Sequence, residues 1–146
     1  MYKASLIAKY IIAKENENNR IVSNLKLQKL LYFIQAEFLV SKNKPCFSDR
    51  IEAWDFGSVV PDVYNEYKVY GGAYIPAFFI EKPYIIAKDD CELIDCILDE
   101  CGKYSSNSLL KIIHNQMPWK KAYDNYKIYG NNSITNESLI EFFSEK

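Results

Sequence analysis

The side chains best suited to acid–base chemistry are few and widely spaced. His114 is the single histidine of the 146 residues. Carboxylates stand in adjacent pairs at two places, Asp89 with Asp90 and Asp99 with Glu100. A histidine acts as a general base when it can reach the reacting group, but adjacent carboxylates do not share a helix face. His114 ends a predicted helix just before Pro118, where a polar side chain is favoured as a cap. We therefore predict that the chain is not an enzyme, and an enzyme using His114 stays as the least favoured alternative.

Three of the four cysteines recur at five-residue intervals, at Cys91, Cys96 and Cys101. Five residues of α-helix advance by about 140°, so these thiols point to different sides of one helix. The chain also has no pair of cysteines separated by two residues, and it has one histidine. This pattern does not fit a zinc site. We predict no metal, no cofactor and reduced thiols.

Aromatic residues supply the most abundant binding chemistry, at 15% of the chain. The segments with the weakest helical pattern contain Trp54, Phe56, Phe78, Phe79 and Tyr84. Exposed aromatic side chains contribute much of the binding energy at protein interfaces. We predict that these five residues bind a protein partner. The alternative is that they cover the hydrophobic core.

The segment 23–42 is predicted to organise the other elements, because its apolar residues form two stripes instead of one. The first stripe contains Leu27, Leu30, Leu31, Ile34 and Phe38. The second contains Leu25, Tyr32, Ala36 and Leu39. A helix with two apolar faces is packed between other elements. We predict a central helix with both faces buried and with Ser23 as its N-cap.

The remaining pattern predicts a mainly α-helical, compact single domain over residues 1–146. A first helix is expected over about residues 5–16. Further helix starts or caps are expected at Pro61, Asp89 with Asp90, Ser105 or Ser106, Met117 and Thr135. Gly102 is expected to end the helix that contains the three cysteines. Short strands are expected near 51–55 and 75–87, and a pairing between these two segments is considered.

Charge and hydropathy argue against nucleic acid and membrane as partners. The net charge of −1 provides no overall field that would attract nucleic acid. Lys26 and Lys29 lie on the central helix, which leaves no whole face for a DNA groove. We therefore do not expect the domain to bind nucleic acid, and a DNA-binding regulator of its own operon is the second hypothesis. No apolar run reaches about 18 residues, and the N-terminus lacks the pattern of a signal peptide. No membrane contact and a cytoplasmic location are expected.

Three runs of residues carry a family resemblance. They are LQKLLYF at 27–33, IEAWDFGSVVPDVY at 51–64 and HNQMPW at 114–119. Together they resemble the Panacea domain, a family of SocA-like antitoxins that is also seen among phage-associated proteins. The resemblance extends from about Ala4 to the C-terminal helix, and the run 51–64 is its most specific part. Ser58 departs from the family pattern, which more often has proline there.

The resemblance implies a compact, mainly α-helical antitoxin that binds and neutralises a partner toxin. At least some such domains resemble proteolytic adaptors, which implies an ATP-dependent protease as a further partner. The resemblance transfers no catalytic residue. We interpret the family-motif residues as structural, and they are Leu27, Lys29, Leu30, Leu31, Gly57, Pro61, Pro118 and Trp119.

Overall fold

The computed structural model describes residues 1–76 and 85–144. Within these residues the α-helices are α1 (Ala4–Glu17), α2 (Asn24–Lys42), α3 (Pro61–Tyr67), α4 (Lys88–Cys101), α5 (Ser106–His114), α6 (Met117–Tyr129) and α7 (Asn136–Phe143). The strands are β1 (Ile51–Trp54), β2 (Gly57–Val59) and β3 (Ser133–Ile134), and a 3₁₀ turn (Lys68–Tyr70) follows α3. The prediction of a mainly α-helical fold with short strands is confirmed.

Helix α2 lies at the centre of the fold and packs against α1, α3, α4, α5, α7 and β2. The buried residues on its first face are Leu27, Leu30, Leu31, Ile34 and Phe38. Those on the opposite face are Tyr32, Ala36 and Leu39. The predicted burial of both faces is therefore confirmed, except that Leu25 in the first turn is only half-buried. The side chain of Ser23 accepts a hydrogen bond from the N–H of Lys26, as expected of an N-cap.

Two buried glutamines of α2 fix the path of the chain around the small sheet. The Gln35 Oε1 atom accepts a hydrogen bond from the N–H of Cys46, and Nε2 donates to the carbonyl oxygen of Phe47, both at 2.8 Å. The Gln28 Oε1 atom accepts from the N–H of Val60 at 2.9 Å. Buried backbone groups need such partners. These bonds hold the chain that precedes β1 and the chain that follows β2 against α2.

Strand β1 is the central strand of an antiparallel sheet with the order β2-β1-β3. The strand predicted at 51–55 is therefore confirmed, but β2 and β3 are its partners. The suggested pairing with 75–87 is wrong for the described part of that segment, because residues 75–76 and 85–87 form no strand. Residues 77–84 lie outside the described residues. The N–H of Ile75 donates instead to the carbonyl oxygen of Val22, at 2.8 Å, which directs the chain towards the start of α2.

The start of α4 differs from the expected aspartate cap. Ala87 is the N-cap residue and makes no side-chain cap bond, while Asp89 and Asp90 lie in the first turn. The Lys42 ammonium donates to both carboxylates, at 2.9 Å for Asp89. The hydrogen bond from Lys42 lowers the pKa of Asp89. Carboxylates in a first turn are also stabilised by the partial positive charge of the helix N-terminus. The two aspartates thus join α4 to the end of α2 instead of capping α4.

A buried ion pair holds the end of α4 against the connection between α1 and α2. Arg20 donates to the fully buried Glu15 through Nε at 2.7 Å and Nη2 at 2.9 Å, and to the carbonyl oxygen of Leu98 at 3.0 Å. Gly102 follows α4, as predicted, at an ordinary φ of −64°. A Cβ atom there would lie 2.4 Å from Glu15 Oε2 and 2.5 Å from the Leu98 oxygen. Glycine is therefore required by space and not by backbone conformation.

All four cysteines are free, and their exposures differ. Cys46 is buried, Cys96 is exposed, and Cys91 and Cys101 are intermediate. Within residues 1–76 and 85–144, no three or more His, Cys, Asp or Glu side chains form a group that could hold a metal ion. In the same residues, no helix combines the length and hydropathy needed to cross a membrane.

Candidate protein-binding site

The two-residue turn between β1 and β2 is held by three side chains from α5 and α6. His114 Nε2 lies 2.9 Å from the carbonyl oxygen of Asp55. Trp119 Nε1 donates to the carbonyl oxygen of Trp54 at 3.0 Å. The Tyr123 hydroxyl donates to the Asp55 carboxylate. The main chain of the turn is thus fixed by donors that come from elsewhere in the chain.

These three anchoring side chains also stack on one another. His114 is the last residue of α5, and α6 begins at Met117 with Pro118 in its first turn. Proline suits that position because the first N–H groups of a helix need no helical partner. The ring centroids of His114 and Trp119 lie 4.1 Å apart, and those of Trp119 and Tyr123 lie 4.5 Å apart. Residues four apart share a helix face, so α6 presents both Trp119 and Tyr123 to the turn.

Gly57, at the end of the turn, lies above a buried lysine. Its φ of +108° disfavours any residue with a side chain, and an added Cβ would lie 3.2 Å from Leu110 Cδ1 and 3.3 Å from Lys29 Cε. Lys29 is 1% exposed, and its Nζ donates to the carbonyl oxygen of Leu25 at 3.0 Å. Burial lowers the pKa of Lys29 to about 8, because the charged form loses its hydration.

A second aromatic group covers the other side of the turn. Trp54 packs edge-on against Phe56 and Tyr64, with ring centroids 5.4 Å and 5.1 Å away. All three side chains are half-buried. Edge-to-face contacts of this kind are favourable for aromatic rings. The turn therefore presents partly exposed aromatic surface from a fixed backbone.

A surface cleft of about 790 Å³ lies between β1 with its turn and the C-terminal half of α6. Its lining residues are Arg50, Glu52, Ala53, Trp54, Asp55, Phe56, Tyr123, Tyr126, Lys127, Gly130 and Asn132. Tyr126 is 56% exposed at the edge of this cleft. We call this surface the hairpin cleft.

Both carboxylates of the hairpin cleft are engaged by neighbouring side chains. Glu52 accepts from Trp54 Nε1 at 2.8 Å and pairs with Arg50 Nε at 3.1 Å. Asp55 accepts the Tyr123 hydroxyl, and this hydrogen bond raises the pKa of Tyr123. The two carboxylates thus fix the positions of other side chains that line the cleft.

The position of His114 bears on the enzyme alternative. Its Nε2 atom contacts the backbone carbonyl of Asp55, while that residue's carboxylate accepts from Tyr123. The imidazole is half-buried against the ring of Trp119. Its contacts therefore serve to hold the turn.

The structure brings together two of the five residues predicted to bind a partner. Trp54 and Phe56 both line the hairpin cleft. Phe78, Phe79 and Tyr84 lie outside the described residues. Their part in binding stays a prediction.

Sequence reasoning missed the contribution of α6 to this cleft. Tyr123 and Tyr126 line it beside Lys127, and Tyr64 on α3 packs behind Trp54. The available signal was the spacing of Trp119, Tyr123 and Lys127, which places all three on one helix face. That spacing alone does not say which element the face packs against.

The family-motif residues surround the turn or support the elements that position it. Leu27, Leu30 and Leu31 are fully buried in α2. Pro61 and Pro118 lie in the first turns of α3 and α6. Lys29, Gly57 and Trp119 lie beneath or beside the turn itself.

The fold and site define a mainly α-helical domain, built around one buried helix, with an aromatic cleft at an anchored hairpin. Residues 27–120 match the family model described as "Antitoxin SocA-like, Panacea domain". The chain is also 35% identical over 127 residues to Antitoxin SocA of Caulobacter vibrioides (strain NA1000 / CB15N), which covers 80% of this chain and 68% of that protein. The chain therefore belongs to the SocA-like Panacea family. No solved structure gives a significant match.

Proposed function

We propose that the chain is an antitoxin that neutralises a partner toxin by binding it directly through the hairpin cleft. Membership of the SocA-like family supports the antitoxin role, as does the name of the related protein. The family leaves the binding surface open, because a fold does not specify a partner.

One observation supports the hairpin cleft as the binding surface. The side chains of His114 and Trp119 hold the main chain of the turn at 2.9 Å and 3.0 Å. Trp54 and Phe56 therefore lose little conformational entropy when a partner binds. Affinity improves when the binding groups are ordered before the partner arrives. Partly exposed aromatic rings also contribute large contact areas in protein complexes.

Neutralisation can follow from occupation of the toxin alone or from its delivery to an ATP-dependent protease. We favour direct binding as the step common to both routes, and we place it in the cytoplasm. The adaptor route predicts that the chain lowers the amount of toxin, and that this loss requires the protease. Toxin levels in cells with and without the protease would distinguish the two routes.

The DNA-binding regulator is the second candidate. The lysines of α2 do not support it. Lys29 is buried, Lys26 donates to the carbonyl oxygen of Gly102, and Lys42 pairs with Asp89. A recognition helix must expose a whole face to the groove. Helix α6 does carry exposed lysines, so binding to operator DNA is worth measuring beside toxin binding.

Co-expression with the product of the neighbouring gene tests the proposed function. We expect that product alone to stop growth, the chain to restore growth, and the two to co-purify as a stable complex. Growth arrest without rescue, and without a complex, would overturn the antitoxin role. Tight, salt-sensitive binding to operator DNA in the absence of a toxin complex would favour the regulator instead.

A further inference from the structure

The charged side chains of the hairpin cleft differ in how far they are already paired within the chain. Glu52 is paired with Arg50 and accepts from Trp54, while Asp55 accepts from Tyr123. Both carboxylate oxygens of Glu52 are engaged, so this residue gains little from a new cationic partner, whereas Asp55 is exposed and uses Oδ1 for Tyr123. Glu52 is therefore a poor docking point for a cation.

Lys127, unlike Glu52, is a charged side chain of the cleft that is available to a partner. It lines the cleft from α6 and is exposed, with Nζ 5.0 Å from the ring centroid of Tyr123. Among residues 1–76 and 85–144, its ammonium belongs to no ion pair within 4.0 Å. The ring holds the ammonium at the cleft wall through a cation–π contact, which leaves its hydrogen-bond donors free for an acceptor.

Helix α6 as a whole is positively charged, like the Lys127 ammonium. The helix carries Lys120, Lys121 and Lys127 against a single acid, Asp124. An approaching acidic segment is therefore attracted to this helix. On the opposite wall, Trp54 and Phe56 offer apolar contact beside the acidic side chains of Glu52 and Asp55.

We propose that the hairpin cleft takes a segment of the toxin that inserts an apolar side chain against Trp54 and Tyr126 and pairs a carboxylate with Lys127. This inference rests on the proposed function and specifies the chemistry of the partner. The segment fits because the one cation without an ion pair in the described lining lies beside the exposed aromatic surface. Apolar burial supplies affinity, and the ion pair supplies orientation.

The test compares two substitutions on the same helix, with the purified toxin as the probe. Lys127→Met keeps the alkyl stem but removes the charge from the cleft. Lys121→Met makes the same change at an exposed lysine that does not line the cleft, and it serves as the matched control. We expect Lys127→Met to weaken the toxin complex about tenfold and Lys121→Met to leave it within about twofold.

Salt dependence separates the charge from the packing. The affinity of the wild-type chain should fall between about 0.05 M and 0.5 M salt, and that of Lys127→Met should fall less. A Lys substitution at the pairing Asp or Glu of the toxin should weaken the wild-type complex and restore binding to Lys127→Glu. Equal toxin affinity for Lys127→Met, Lys121→Met and the wild type would overturn the proposal but leave the antitoxin function standing. Failure of the wild-type chain to bind toxin would overturn both.

Discussion

Replacing Lys29 by methionine should stabilise the fold, because the lysine ammonium is buried without a carboxylate partner among the described residues. Lys29 is 1% exposed, and its recorded hydrogen bond goes to the carbonyl oxygen of Leu25. Methionine has a similar length and an unbranched apolar chain, so it fits the same space. The Leu25 oxygen lies four residues before Lys29 in α2 and keeps the helical bond from the backbone N–H. The substitution therefore leaves no new unpaired polar group.

The expected gain follows from the pKa of Lys29. Burial lowers it to about 8 in the folded chain, whereas an unfolded lysine has a pKa of about 10.4. Between these two values the unfolded chain binds more protons, so the stability of the wild type rises with pH across this window. The difference of about 2.4 pH units corresponds to about 3 kcal/mol at 1.36 kcal/mol per unit. That amount is an upper bound on the advantage of Lys29→Met at pH 7, and it should disappear as the pH approaches 10.5.

Urea unfolding of both chains at pH 7 and pH 10 measures this difference directly. Buried thiols and tyrosines titrate in both proteins, so their effects cancel in the comparison. Lys9→Met, at an exposed position of α1, is the control and should show no such pH dependence. A Lys29→Met variant that is less stable than the wild type at both pH values would refute the reasoning. So would an advantage that stays constant between them.

Three further substitutions test the fold around the site by urea unfolding. Leu31→Ala should cost about 2–5 kcal/mol because Leu31 is fully buried, and a loss below about 1 kcal/mol would exclude a packed core there. Gly102→Ala should cost about 1–3 kcal/mol because its Cβ would lie 2.4 Å from Glu15 Oε2, whereas a more stable variant would contradict that close approach. Trp119→Phe should cost about 1 kcal/mol and speed amide exchange in the β1–β2 turn, since it removes the donor to the Trp54 oxygen. Unchanged exchange would show that the turn does not depend on this bond.

Local signals in the sequence predicted much of the helical framework. Caps are predicted at Ser23, at Ser105 or Ser106, and at Thr135. In the structure Ser23, Ser105 and Thr135 each accept a hydrogen bond from the backbone N–H three residues later. Capping depends on a few adjacent residues, so it can be recognised without the tertiary structure. The two stripes of α2 were informative for a similar reason, because helical periodicity is a local property.

The sheet was less predictable because its hairpin lacks the usual turn signal and its third strand comes from far along the chain. The turn at Asp55 and Phe56 lacks the Asn-Gly or Asp-Gly pair that usually marks a two-residue hairpin. Strand β3 has only the two residues Ser133 and Ile134, which is too short for an alternating pattern. These strands form where Gln28 and Gln35 of α2 hold the adjoining chain.

The candidate site was predicted in part. Trp54 and Phe56 were identified because they lie in a segment without helical periodicity. Tyr123 and Tyr126 were not, because an aromatic residue on a helix is most often part of the core. Their place in the cleft depends on the docking of α6 against β1, which the sequence of α6 alone does not contain.

The most direct test of the account is the dissociation constant of the toxin complex for a cleft variant and a matched control. Tyr126→Ala removes a ring that is 56% exposed in the hairpin cleft, and Tyr104→Ala removes a ring that is 43% exposed outside its lining. Both variants should keep the melting temperature of the wild type. We predict that Tyr126→Ala weakens the complex at least about tenfold, which corresponds to ~1.4 kcal/mol, and that Tyr104→Ala leaves it unchanged. Unchanged affinity for Tyr126→Ala would contradict the account, and a loss for Tyr104→Ala would place the toxin outside the hairpin cleft.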